Sequence, residues 1–169
     1  MPPLINGYRL VKTESPGPSN HFHQDQVHLI LDSYRHWTGE SLLSSVPREG
    51  EALAEMIFRA PFALVSHGTE ADPIFNYANQ MALEAFGYPW MEWITLPSRL
   101  SAEAPNREAR QKLLDTVRRQ GYSDGYQGIR IGKNGRFEIR SAKVWNLLDC
   151  DGHHRGQAAY FSDWHKMPS

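Results

Sequence analysis

Cysteine is almost missing from this chain. Among 169 residues there is only Cys150, so no internal disulfide can form and a small disulfide-stapled fold is excluded. Long apolar runs are missing too. None approaches the ~20 residues that a helix needs to cross a bilayer. The opening stretch MPPLINGYRLVKTESPGPSN lacks a basic start followed by an apolar core, so it does not read as a secretory signal. Nor does one sign of charge dominate: 18 Lys and Arg stand against 19 Asp and Glu, a formal net charge of -1. That balance leaves no overall basic footprint for nucleic acid or for an anionic membrane. These absences together lead to the expectation of a cytoplasmic protein with neither nucleic acid nor membrane as a partner. What is present, 40% hydrophobic and 22% charged residues, is ordinary globular material, enough for one core domain with extensions.

Residues 1–20 are rich in Pro, Gly and Ser and read as a mobile lead-in. Apolar residues then recur at helical spacing from Phe22 to Trp37, and Thr38-Gly39 ends that pattern. A second helical segment spans Arg48 to Arg59, and Pro61 enforces a break after it. These two form an N-terminal helical extension over 21–60. Phe62–His67 and Ile74–Tyr77 read as strands joined by the turn GTEADP. Asn79 suits the cap of a helix over Gln80–Phe86, with Gly87 as its stop. Trp90–Ile94 suits a short irregular helix. A charged helix follows over Asn106–Gln120, with Leu113, Leu114 and Val117 as its buried stripe and Gly121 at its end.

After Gly121 the period changes to two. Tyr126–Ile131, Arg136–Leu148 and Gly156–Trp164 read as three strands, joined by the hairpin signals GKNG and DCDGHHRG. In RFEIRSAKVWNLL neither alternate set of side chains is wholly apolar, which leaves the core face of that strand open. Two strands, several helices and three strands give an α+β fold in two layers. The expectation is a PAS-like five-stranded antiparallel sheet with helices packed on one face and an N-terminal helical extension, its core over 61–169.

Four stretches carry a closer likeness: SHGTEADPIFNYANQMALEAF, LPSRLSAE, GYSDGYQGIRIGKNGRFEI and VWNLLDCDGHHRGQAAYF. In this order they resemble the MEKHLA domain, over about residues 29–164. That domain is a PAS-like module found alone in bacteria and at the C-terminus of plant class III homeodomain–leucine-zipper proteins. The resemblance implies the fold and a sensory or protein-interaction role, without a settled ligand. The chain contains no homeodomain and no zipper heptads, so the plant DNA-binding role does not carry over.

Seven residues are candidates for a ligand site, and each also has a structural reading. His67 beside Asp72 is a general base with its orienter, a ligand contact, or hairpin architecture. Asn79 is a helix cap or an amide lining a pocket. Ser98 and Arg99 offer a hydroxyl and a planar cation to a carboxylate or phosphate, or Arg99 pairs with Glu92 or Glu103. Arg130, if it faces the helices, needs either a bound anion or a nearby carboxylate. Trp145 and Gln157, in adjacent strands, form an indole wall with an amide beside it, or simply pack. The charge-alternating NREARQKLLDTVRRQ reads as a solvated helix face.

Flavin photosensors of the PAS fold carry a reactive Cys in the helical region between the second and third strands, and haem sensors of the fold often a His there. Residues 79–121 contain neither. His21-x-His23 and His153-His154 lack the further ligands of a closed zinc site and read as solvent-exposed. The cofactor is left unknown. The reading is a sensory or regulatory domain that binds a small molecule between sheet and helices. An interaction or dimerisation module, pairing with a second copy or a partner protein, is the alternative, and an enzyme using His67 and Asp72 a more distant one.

Overall fold

The computed structural model describes residues 14–43 and 50–168. The expected lead-in lies outside the described residues over 1–13, and so does Arg48 at the start of the second helical segment. Helix α1 (Gln24–Thr38) buries Val27, Ile30 and Tyr34 and stops at Gly39, whose φ of 75° only glycine adopts at low cost. Helix α2 (Gly50–Phe58) leads into strand β1 (Ala63–His67), which turns into β2 (Phe75–Ala78). Asn79 caps α3 (Gln80–Phe86) by accepting from the Ala82 amide, and α4 (Trp90–Trp93) follows. Helix α5 runs Ala104–Gln120. It starts two residues before the expected Asn106, because Pro105 fits a first turn that needs no N–H.

Strands β3 (Tyr122–Gly132), β4 (Gly135–Leu148) and β5 (His154–Phe161) complete an antiparallel sheet in the order β2-β1-β5-β4-β3. The strand expected over Gly156–Trp164 divides in two. Its second half, β6 (Asp163–Lys166), pairs with the first half of β4, from Phe137↔Lys166 to Arg140↔Asp163. The break coincides with Ser141 of β4, which is held at a φ of 53° and kinks the longer strand.

The sheet is covered on both faces, and this determines where a site can lie. Trp145 and Leu147 of β4, Leu64 of β1 and Ala158 of β5 pack with α1 and α2 in one core. Val65, Ile139, Ala142 and Phe161 look the other way, joined by Phe86 of α3 and Trp93 of α4 in a second. The apolar side of the segment Phe22–Trp37 docks on its own sheet. Trp145 Nε1 donates to the Ile30 carbonyl at 3.0 Å and Trp37 Nε1 to the Asn146 carbonyl at 2.9 Å. Among the described residues no helix is long and apolar enough to cross a membrane.

Candidate functional site

On the face away from α1, the sheet and α5 do not close completely. Between them lies a narrow cleft that opens to solvent. Its floor is Val65 of β1, Ile139, Ala142 and Val144 of β4, and Ala159 and Phe161 of β5, while Leu113 and Leu114 of α5 form the roof. Mostly apolar walls with a few converging polar groups are the usual character of a small-molecule site. The polar groups here are His67, Gln157, Arg110 and Arg130, with Ser66 and Ser101 beside them.

His67 reaches the cleft because it follows Val65 by two residues on β1 and so faces the same way; towards β2 it pairs with Phe75, where β2 carries one extra residue. On its other side His67 pairs with Gln157 of β5, and the two side chains meet, Nε2 to Oε1 at 3.3 Å. The tautomer follows from the surroundings. Gln157 spends its Nε2 on the Leu114 carbonyl at 3.0 Å and on Asn146 Oδ1 at 3.1 Å. Only its oxygen is left for His67, so His67 Nε2 carries the proton and Nδ1 is an acceptor. That Nδ1 is buried without a hydrogen-bond partner. Burial, and secondarily the charge of Arg110, bring the imidazole pKa down to about 4, so His67 is neutral at pH 7. Asn146 extends the chain of bonds by donating to the Val117 carbonyl of α5 at 2.9 Å.

Arg110 projects from α5 and is 7% exposed; Arg130 projects from β3 and is 8% exposed. Arg110 Nη2 donates to Ser98 Oγ at 2.8 Å. Arg130 Nη1 donates to the carbonyl of its own neighbour Ile129 at 3.0 Å, and its guanidinium lies 5.3 Å from the centre of the Tyr126 ring. Among the described residues neither arginine forms an ion pair with a carboxylate. Burial first, and then the like charge of Arg130, pull the Arg110 pKa down to about 10.

The seven sequence candidates separate on this geometry. His67, Gln157 and Arg130 come together in the cleft, and Ser98 stands behind it as the acceptor for Arg110. Arg99 lies outside, half exposed and paired through Nε with Asp72 Oδ1 at 3.1 Å, rather than with Glu92 or Glu103. Asp72 is thereby occupied and does not orient His67, so the acid/base pair is not assembled. Asn79 is fully buried in backbone hydrogen bonds away from the cleft. Trp145, also fully buried, faces α1 rather than the cleft: alternation along β4 puts its neighbours Val144 and Asn146 on the cleft side and Trp145 on the other.

Arg110 is the residue that sequence reasoning missed, having been counted with the solvated face. The signal was there, since 110, 113, 114 and 117 form one i, i+3, i+4, i+7 stripe and Arg110 shares it with the three apolar residues identified as buried. As for metal ligands, Asp149, Asp151 and His153 bring ligand atoms within 4.8 Å of one another. Asp149, however, already accepts from the Asp151 and His153 amides and from Arg155.

A family model described as the MEKHLA domain matches residues 24–166. Among curated proteins the chain is similar to the homeobox-leucine zipper protein ATHB-14 of Arabidopsis thaliana, at 26% identity over 82% of this chain and 17% of that protein. It is also similar to the homeobox-leucine zipper protein HOX9 of Oryza sativa subsp. japonica, at 25% identity over 80% of this chain and 16% of that protein. The chain thus spans only about a sixth of the length of these relatives. Among solved structures it is similar to the PAS domain of a protein from Colwellia psychrerythraea, with a TM-score of 0.56 and 15% identity over 68% of this chain and 93% of that one. The photo-excited blue-light photoreceptor Vivid matches with a TM-score of 0.54 and 14% identity over 87% of this chain and 98% of that one. At such identity the likeness establishes the fold alone.

Proposed function

The chain belongs to the MEKHLA domain family, and we propose that it serves as a PAS-like sensory domain whose signal is a small molecule held between the sheet and α5. The observation that carries this reading is the cleft itself, an apolar slot into which a buried neutral histidine and two buried arginines converge. A second observation bears on the sensory part. Asn146 is bonded at once to Gln157 at the cleft, to the Val117 carbonyl of α5 and, through its own carbonyl, to Trp37 of α1. A change at the cleft that moves Gln157 therefore has a contiguous hydrogen-bonded route to the helix on the opposite face. Coupling along it requires two arrangements of these bonds with different ligand affinity.

Native mass spectrometry of the freshly purified full chain, compared with the denatured chain, tests the reading. The expected result is a small-molecule mass that is lost on denaturation and is absent from Ala142→Leu, which fills the cleft floor. Ala142→Leu folding normally and retaining the bound mass, or no mass acquired even after incubation with a metabolite extract, counts against it.

A further inference from the structure

Resting on that reading, we propose that the molecule bound in the cleft is a small organic acid, its carboxylate clamped between the guanidinium groups of Arg110 and Arg130. A guanidinium carries five N–H donors in a rigid fork. Arg110 uses one of them on Ser98, and Arg130 one on its own chain. Both residues line the cleft, so the donors left over have its open space to meet. Both are more than nine-tenths buried, where a charge without a counter-charge is costly. Asp72, whose charge reaches Arg110, is paired with Arg99, and among the described residues no carboxylate forms an ion pair with either arginine of the cleft. Two like charges on α5 and β3 that face one cleft repel each other, and an anion between them reverses the sign of the interaction.

The remaining features narrow the ligand. The walls around the arginines are apolar, which suits a carboxylate on a short hydrocarbon or aromatic body better than a fully polar anion. His67 is neutral, so it adds no third positive charge, and its unused Nδ1 can accept but not donate. One anionic group on an apolar body matches the two arginines and the walls.

The test is calorimetric titration of the full chain with butyrate, benzoate and phenylacetate, each beside its primary amide, and with inorganic phosphate. The expected outcome is that at least one acid binds ten times or more tighter than its amide. Arg110→Gln and Arg130→Gln each then weaken that acid at least tenfold while the amide is unaffected, and Arg110→Lys, which keeps the charge but loses the fork, recovers part of the loss. Acid and amide binding equally well overturns the clamp and leaves the small-molecule reading of the cleft standing. Binding of phosphate but of no carboxylate overturns the organic-acid assignment, and so does binding of none of these probes. An independent measurement uses wild type and variant stripped of any bound molecule by unfolding and refolding, since a retained ligand would itself raise the melting temperature. Without an anion the two arginines destabilise each other, so Arg130→Gln melts no lower than wild type. A melting temperature lowered by several degrees assigns Arg130 a structural role and overturns the proposal.

Discussion

Asn79 carries the sharpest stability prediction. It is completely buried, and its amide makes four hydrogen bonds to backbone. Oδ1 accepts from the Leu64 amide at 3.0 Å and from the Ala82 amide at 3.1 Å, and Nδ2 donates to the Ile57 carbonyl at 3.0 Å and the Phe62 carbonyl at 2.8 Å. One side chain thus ties the end of α2, the start of β1 and the first turn of α3. A net hydrogen bond contributes ~1 kcal/mol, and a buried group left unpaired costs ~1–3 kcal/mol. Taking the lower figure for each of the four bonds, Asn79→Ala loses about 4 kcal/mol, a large part of the ~5–15 kcal/mol that holds a domain together. For a chain of this size that lowers the melting temperature by roughly 8–16 °C. Asn79→Asp keeps the shape and both accepting contacts but turns an oxygen toward two carbonyls. It is expected to lose at least as much at pH 7 and to recover part of the loss in acid, where a protonated carboxyl can donate one bond. Urea unfolding and thermal melts of the three proteins measure this. A loss below 1 kcal/mol for Asn79→Ala would refute the argument, because it would mean that the freed backbone groups find other partners.

Two further outcomes follow from the cleft. His67 has its pKa lowered from 6.5 to about 4, so below pH 6.5 the unfolded chain takes up a proton that the folded chain refuses. Its stabilising contribution is complete above that pH and is lost as pH falls toward 4, in all about 3 kcal/mol, of which about 2 kcal/mol has gone by pH 5. Urea midpoints at pH 7.5 and pH 5 should therefore fall further in wild type than in His67→Gln, and equal falls would show that His67 is not the group responsible. Gly156 has a φ of 128°, and a Cβ there would stand 2.0 Å from the His67 carbonyl oxygen. Gly156→Ala should cost more than about 2 kcal/mol by forcing β5 away from β1, whereas Gly152→Ala, with nothing within 4 Å, should lose only its local strain of about 1 kcal/mol. Equal thermal shifts for the two would contradict this.

What the sequence determined by itself was everything that depends on near neighbours along the chain. The helical stripe of Leu113, Leu114 and Val117, the Asn79 cap, the Gly39 and Gly87 stops and the GKNG hairpin are local, because propensity and hydrogen-bond bookkeeping at those places involve residues a few positions apart. From such pieces the element order followed, and with it the antiparallel sheet. His67, Arg130 and Gln157 were legible as suspects since polar side chains in strands of a half-apolar sheet stand out. Tertiary structure decided which face each one serves. β4 reads as a mixture because both of its faces are covered, by α1 on one side and, across the cleft, by α5 on the other; alternation supplies the period but not the phase. That is why Trp145 belongs with α1. It is also why Arg110, one of many arginines on a charged helix, becomes a buried cation only when α5 lies across the sheet opposite Arg130. Long-range docking decides whether a charge ends in water or in a cleft, and no window of neighbouring residues contains that information.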